Sequence, residues 1–321
     1  MGLIGTGKHG SRYARHIRED FPDLELVAIA RGDPVKADAT ARQLGCRAYR
    51  DFRELLAADG IDAVIVVVPP TLHVDIVSEA ARRGRPVLLE KPAAVSVAAG
   101  SALLAVVRRH PIPIMVAQTL RFNAVVRTLM AHRSLAGAIH SLCVSQRFER
   151  SRLEWLDDPS IAGGGMTLHT GVHSFDLLRL LTGMEADVVS CQMARVNTRR
   201  TEDSFAATIQ LGGGAVLATV SGSRATGGRT GHVEVAGCDG VLIGNHVLNQ
   251  AHLLVGNEAR PLPVEPPRPT VREVIREFVQ ALRAGRPMPV PLEEGVRAVA
   301  IADACYASAR TGTVARVERI E

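Results

Sequence analysis

Gly5-Thr6-Gly7-Lys8-His9-Gly10 stands at the start of the chain, between the apolar stretch Met1-Gly2-Leu3-Ile4 and a helical stretch from Ser11 to Asp20. Glycines in a G-x-G-x-x-G spacing, after a strand and opening a helix, form the context that a dinucleotide fingerprint requires. The first glycine allows the tight turn, and the second lets the backbone approach a pyrophosphate. The third lets helix and strand pack closely, with the helix N-terminus facing the anion.

The pattern continues outward from this loop. Leu24–Ala30 reads as a second strand. Asp33 then caps a helix with Pro34 in its first turn and Gly45 at its end. Asp51 and Glu54 have capping-box spacing. Ala63–Val68 is a continuous β-branched run, as a buried parallel strand requires. A helix ended by Gly84 and the strand Val87–Leu89 follow. A helix capped by Ser96 and the strand Ile112–Ala117 close the series. Strands alternating with helices predict a doubly wound parallel sheet with helices on both faces.

The character changes after Gln118. A helix is expected over Ala124–His132, a strand over Ser141–Glu149, and one long helix over Met166–Thr182. Strand-like segments follow at Val188–Val196, Phe205–Leu211, Ala215–Ser223, His232–Ala236 and Val241–Gly244, with Gly212-Gly213-Gly214 suited to a hairpin. Pro261–Pro269 reads as a connector, and Val271–Ala284 and Glu294–Arg310 as closing helices. The fold class is therefore α/β, with domains expected at 1–118 and 119–321. The second is an α+β domain built on a large, mainly antiparallel open sheet.

With 321 residues, 46% of them hydrophobic, the chain can bury two cores. No apolar run approaches the roughly 20 residues needed to span a bilayer, so no membrane association is expected. The chain enters a strand at once, leaving no room for a signal peptide. That strand reads as short, as though a few residues belonged ahead of it. Cys46, Cys143, Cys191, Cys238 and Cys305 are scattered without metal-type pairing, which fits a reducing cytoplasm. The net charge is +5, and Lys8, Lys36 and Lys91 are the only lysines among 38 basic residues. A diffuse arginine excess with only 3% aromatics argues against nucleic acid as a partner.

Three places carry chemistry. Lys91, in Glu90-Lys91-Pro92, ends a buried strand, where the carboxyl ends of parallel strands form the ligand crevice. His169, His173 and Asp176 are spaced i, i+4, i+7 and predict one polar stripe on an otherwise apolar helix, which needs partners or a ligand. The H-x-x-x-H spacing admits zinc, but no third ligand accompanies it, so no metal is expected. Ala30 occupies the place where NAD enzymes carry an acid, and Arg31 follows it. Without the carboxylate a 2′-phosphate is not repelled, and Arg31 can pair with it, which favours NADP over NAD. Asp33 is the rival acid, better used as a helix cap.

Together with Pro69-Pro70-Thr71-Leu72-His73, the Gly163–Asp176 block, Glu202-Asp203-Ser204-Phe205 and Ser308-Ala309-Arg310-Thr311-Gly312, these motifs resemble the Gfo/Idh/MocA oxidoreductases over essentially the whole chain. The resemblance implies a Rossmann domain, a sheet domain for substrate and oligomer contacts, and hydride transfer between a nicotinamide and a sugar, cyclitol or similar polyol. It makes Lys91 and His173 the catalytic candidates. His169, where the family has Asp, becomes a third that shifts substrate preference or the acid–base assignment. Cofactor contacts are expected from Gly5, Thr6, Gly7, Lys8, His9, Gly10, Ala30, Arg31, Pro69, His73, Glu90 and Lys91. Gln118, Arg121 and Trp155 are substrate candidates, each with a packing or ion-pair role as its alternative. A homo-oligomer, dimer or tetramer, is implied. Relatives that cleave glycosides through transient oxidation, and a non-enzymatic dinucleotide sensor, are the rival functions.

Overall fold

The opening strand β1 (Gly2–Ile4) lies inside a six-stranded parallel sheet in the computed structural model, which describes residues 1–151 and 153–320. It is followed by α1 (Gly10–Asp20), β2 (Ala28–Ala30), α2 (Pro34–Leu44), β3 (Arg47–Tyr49), α3 (Phe52–Ala57), β4 (Val64–Val66), α4 (His73–Arg82), β5 (Val87–Leu89), α5 (Val97–Arg109) and β6 (Ile114–Val116). The strand order is β3-β2-β1-β4-β5-β6, with every neighbouring pair parallel. Chain direction across the sheet reverses at β1 and β4, and the loops after their carboxyl ends form the crevice of a doubly wound fold.

These strands are only three residues long, yet β1, β2, β4, β5 and β6 are buried throughout. Apolar residues without alternation are what a sheet covered on both faces selects. β2 occupies only the end of the expected Leu24–Ala30 segment. β3 was invisible in the sequence because Arg47-Ala48-Tyr49 is a partly exposed edge with no apolar run. In α2, Asp33 accepts a hydrogen bond from the Lys36 amide, Pro34 fills the first turn, and Gly45 ends the helix at φ +69°.

The second unit comprises α6 (Ala124–Ala131), β7 (Ile139–Glu149), the short α7 (Pro159–Ala162), a π-helical turn at Thr167–Gly171 and α8 (Val172–Thr182). Then come β8 (Ala186–Ala194), β9 (Ser204–Leu211), β10 (Val216–Thr226), β11 (Thr230–Gly237), β12 (Val241–Asn245), β13 (Gln250–Val255) and β14 (Glu258–Pro261). The last elements of the chain are α9 (Thr270–Arg283), α10 (Leu292–Thr311) and β15 (Ala315–Arg316). The sheet runs β14-β13-β12-β11-β7-β10-β9-β8-β15, antiparallel except for the parallel pair β7 and β10. Along β9 and β10 buried and exposed residues alternate, so one face packs while the other is open. Phe175, Leu178 and Leu181 of α8 share a buried cluster with Ile209, Val216 and Val220 from that inner face.

Three strands lie beyond the segments anticipated from the sequence, β13 and β14 at one edge of this sheet and β15 at the other, and β14 takes the first residue of the expected proline-rich connector. The first unit takes in Pro269–Val296, a stretch beyond the boundary expected at 118. There α9 packs on α1, with Arg272 Nε 3.4 Å from Asp20 and Arg283 paired with Asp23. The expected single helix Met166–Thr182 is a π turn followed by an α-helix.

Candidate active site

Three glycines of the opening loop do three different things. Gly5 sits at φ +92°, where an added Cβ would stand 2.1 Å from the Val67 carbonyl oxygen. A Cβ on Gly10 would meet the Gly5 oxygen at 2.0 Å, so only glycine allows α1 to start this close to β1. A Cβ on Gly7 would meet nothing within 4 Å: that glycine faces open space. No side chain caps α1, and the Ser11 and Arg12 amides are bonded to the carbonyls of Gly7 and His9, so an anion would meet the loop and the very start of the helix. This loop fits the pyrophosphate of a dinucleotide. Thr6 is buried beneath it, Lys8 is exposed, and the Arg31 Nη1 donates to Thr6 O at 3.2 Å and Oγ1 at 3.3 Å. Ala30 ends β2 with no carboxylate.

Glu90, at the end of β5, links this loop to Lys91. Its Oε1 takes the Tyr13 hydroxyl at 2.5 Å and His9 Nε2 at 2.8 Å, and its Oε2 accepts the Lys91 amide at 3.1 Å. Burial alone would raise its pKa. The His9 charge and hydrogen bond, the Lys91 charge and the Tyr13 hydroxyl outweigh that and hold it at about 2. The Tyr13 hydroxyl is correspondingly pushed well above its usual value, by burial and then by Glu90. Glu90 is thus a fixed anion that orients the main chain at Lys91, where the Lys91–Pro92 bond is cis. His73 opens α4 after Pro69 and Pro70 and is buried. Its ring nitrogens lie on the carbonyls of Ala93 (3.1 Å) and Val68 (3.3 Å), and burial lowers its pKa. It braces two strand-end loops, the neutral ring donating its one N–H to one of these two carbonyls. Gln118 is buried just beyond β6.

In the second unit the three glycines before the π turn are enforced by contact. A Cβ on Gly165 would stand 1.9 Å from the Glu202 carbonyl oxygen, and one on Gly164 2.3 Å from the Tyr306 hydroxyl. Glu202 Oε1 accepts the Thr167 amide (2.9 Å) and the Tyr306 hydroxyl (2.7 Å), which in turn accepts the Gly165 amide (3.0 Å). This network anchors the start of the segment carrying His169 and His173, both buried.

The expected stripe is divided between two kinds of helix, with His169 in the π turn and His173 and Asp176 in α8. The i, i+4, i+7 spacing assumes regular α-helical turns, and the π turn at Thr167–Gly171 changes the phase before α8 begins. Asp176 accepts a bidentate pair from Arg121, Nε at 2.7 Å and Nη2 at 2.6 Å. His169 Nε2 lies 2.9 Å from the Ala162 carbonyl, which only an N–H can satisfy, so this nitrogen carries the proton. Trp155 packs edge-on against His169, centroids 5.5 Å apart. Tyr13, Tyr306 and Arg224 were given no role in the sequence reading. The chain has only three tyrosines, and that scarcity was the available signal for two of them. Among the described residues no group of three or more His, Cys, Asp or Glu is arranged to hold a metal ion.

A parallel sheet in 3-2-1-4-5-6 order, a glycine cradle at its switch point and a buried Glu90 followed by Lys91 at a strand end define a dinucleotide-binding oxidoreductase fold. Residues 1–118 match the oxidoreductase family model with an NAD-binding Rossmann fold, and residues 135–318 match its C-terminal alpha/beta domain. The chain belongs to the Gfo/Idh/MocA oxidoreductase family. It is 30% identical to a D-xylose 1-dehydrogenase (NADP(+)) of Haloferax volcanii, over 99% of each chain. It is 26% identical to an inositol 2-dehydrogenase of Rhizobium meliloti, over 96% of each. The solved structure of levoglucosan dehydrogenase with NADH and L-sorbose has the same fold, at 22% identity and TM-score 0.87, covering 99% of this chain and 98% of that one.

Proposed function

We propose that this protein moves hydride between a nicotinamide dinucleotide, NADP in preference to NAD, and the CH–OH carbon of a sugar, cyclitol or similar polyol. The observation that carries the reading is the Glu90 network, which ties the glycine loop through His9 and Tyr13 to the main chain of Lys91. The cofactor supplies the hydride acceptor or donor. The residues of the chain supply everything else. Gly5, Gly7 and Gly10 admit the pyrophosphate, with Thr6, Lys8 and His9 around it, and Pro69 shapes the neighbouring turn.

Oxidising an alcohol also requires the O–H proton to leave, to a group within about 3 Å. Lys91 and His173 carry this chemistry: the lysine holds the oxygen and the imidazole takes the proton. In the reverse direction they protonate a ketone. His169 commits its Nε2 proton to Ala162, which suits orienting a substrate hydroxyl better than proton transfer. Arg121 is spent on Asp176, so its contribution is to hold α8 in place. Gln118 and Trp155 remain substrate contacts in this reading.

NADP preference rests on Arg31, whose guanidinium lies against Thr6 at the end of β2, and on Asp33 being engaged with the Lys36 amide at 3.0 Å. Residues 1–118 then form the dinucleotide domain, with 269–296 packed in the same unit, and the rest of 119–321 forms the substrate and oligomerisation domain. The open sheet face, with Leu217 57% exposed, suits a second copy. No helix among the described residues is long and apolar enough to cross a membrane. Five free thiols fit a cytoplasmic home. A panel of polyols and sugars, followed by absorbance of reduced nicotinamide with each cofactor, tests the reading. Turnover with NADP exceeding that with NAD is expected, and no reduction of either cofactor by any member would refute it.

A further inference from the structure

Outside the glycine loop and Lys91, the second unit contains a cavity of about 590 Å³ whose lining includes Arg150, Glu154, Asp157, Glu202, Asp203 and Arg224. That volume is in the range of small-molecule sites. Four carboxylates line it, and three are already engaged by the protein. Asp157 accepts the amides of Arg199, Arg200 and Thr201, and these backbone donors, Thr201 first, hold its pKa at about 2. Asp203 accepts those of Val196, Asn197 and Thr198. Glu202 is held by Tyr306 and Thr167. The fourth, Glu154, is exposed.

Arg224 is in the opposite condition. A guanidinium offers five N–H donors. Among the described residues the one hydrogen bond of this side chain is Nη2 to Thr170 Oγ1, long at 3.4 Å, and no carboxylate forms an ion pair with it. Burial lowers its pKa, with the charge of Glu202 opposing, and the group stays cationic. The main chain fixes its place: the Arg224 amide donates to Asp203 O at 2.8 Å. Thr170, its one partner, lies between His169 and His173 in the sequence and within the π turn. A partly buried, prepositioned fork of donors with so little to bind is arranged for a ligand oxyanion. Arg150 and Arg199, on the exposed rim, add to the attraction.

We propose that Arg224 is a specificity-determining residue that binds an oxyanion substituent of the substrate, so that the preferred polyol is a sugar acid or sugar phosphate and not a neutral sugar. The proposal rests on the dehydrogenase reading for its turnover assay, and its binding assay stands independently.

The test uses D-glucose, D-glucuronate and D-glucose 6-phosphate with the wild-type protein, Arg224→Gln and Arg224→Lys. Melting temperatures establish that each variant is folded, and Arg224→Lys serves if Arg224→Gln is not. A charge-assisted hydrogen-bonded pair supports roughly a ten- to hundredfold effect. Wild type should therefore favour one anion over glucose in kcat/KM by about tenfold or more. Arg224→Gln should erase that ratio through KM, with Arg224→Lys between them. Whichever anion leads identifies carboxylate or phosphate as the substituent. An anion-to-glucose ratio equal in wild type and Arg224→Gln, or a wild-type preference for glucose, overturns the proposal. If no compound is turned over, the polyol and sugar panel decides the dehydrogenase reading, and calorimetric titration of the two anions decides the matter of Arg224. Binding weakened by salt and lost in Arg224→Gln upholds the anion site; equal or absent binding removes it.

Discussion

The two units hold their polar groups in contrasting ways. In the first, two short contiguous motifs suffice: residues 5–13 meet Glu90-Lys91, and one carboxylate gathers His9, Tyr13 and the Lys91 amide. In the second, the pairs are drawn from many separate segments: Asp157 with Thr201, Glu202 with Tyr306, Arg121 with Asp176, Thr170 with Arg224. A site for an invariant nucleotide can be written in a contiguous loop whose backbone does the binding. A site for a variable substrate is assembled from side chains on many elements, and each can change separately. His169, the departure from the family pattern, falls in the second kind.

The strongest way to break this contrast is to substitute one residue of each kind. Removing a proton-transfer group typically costs 10²- to 10⁴-fold. Lys91→Ala and His173→Asn should each lower kcat by roughly that amount, while cofactor affinity, measured by fluorescence titration, changes far less. His169→Asn should alter substrate ranking, with a kcat loss under about tenfold. A loss at His169 as large as that at His173, together with a displaced pH profile, would move it into the proton path.

Next in size is the cofactor contrast at Arg31. A bidentate charged pair is worth on the order of 1.5–3 kcal/mol. Arg31→Ala should weaken NADP binding by roughly ten- to hundredfold and leave NAD binding within about threefold. Equal weakening of both would mean that Arg31 acts only by bracing Thr6.

Acid separates the units more gently. Burial lowers the His246 pKa to about 4 from 6.5, so its contribution is complete above 6.5 and disappears as pH falls toward 4. Glu90 is held at about 2 against 4.5, so its contribution is complete above 4.5 and lost only as pH falls toward 2. Calorimetry between pH 7 and 4 should therefore show acid destabilisation that His246→Asn diminishes and Glu90→Gln does not. The reverse dependence would show that the Glu90 network is weaker than its geometry implies.

Legibility followed the range of the contacts and not the unit. The glycine loop, the cap at Asp33, the Gly212–Gly214 hairpin and the parallel sheet could be read because each is set by neighbours a few residues apart. β3, β13, β14 and β15 were missed because they are short or exposed strands stabilised by pairing rather than by their own pattern. The π turn at Thr167–Gly171 was missed for a related reason. It is enforced by distant atoms, with Glu202 and Tyr306 seizing the amides of Thr167 and Gly165, and helical periodicity carries no trace of them. Arg121 could be read as substrate contact or ion pair, and only the fold shows its two bonds to Asp176.

The smallest effect, and the finest test of the reading in the first unit, is expected at Asp33. Its Oδ1 accepts the Lys36 amide, and its other oxygen lies 3.0 Å from Lys36 Nζ. A carboxylate serving the ribose 2′-hydroxyl would need its charge and both oxygens, whereas a helix cap needs one acceptor. Asn keeps that acceptor and caps about as well as Asp. Asp33→Asn should therefore leave the NADP-to-NAD affinity ratio within about twofold and the melting temperature almost unmoved. A tenfold loss confined to NAD would instead make Asp33 the ribose ligand, and the absence of an acid at Ala30 would no longer distinguish the two cofactors.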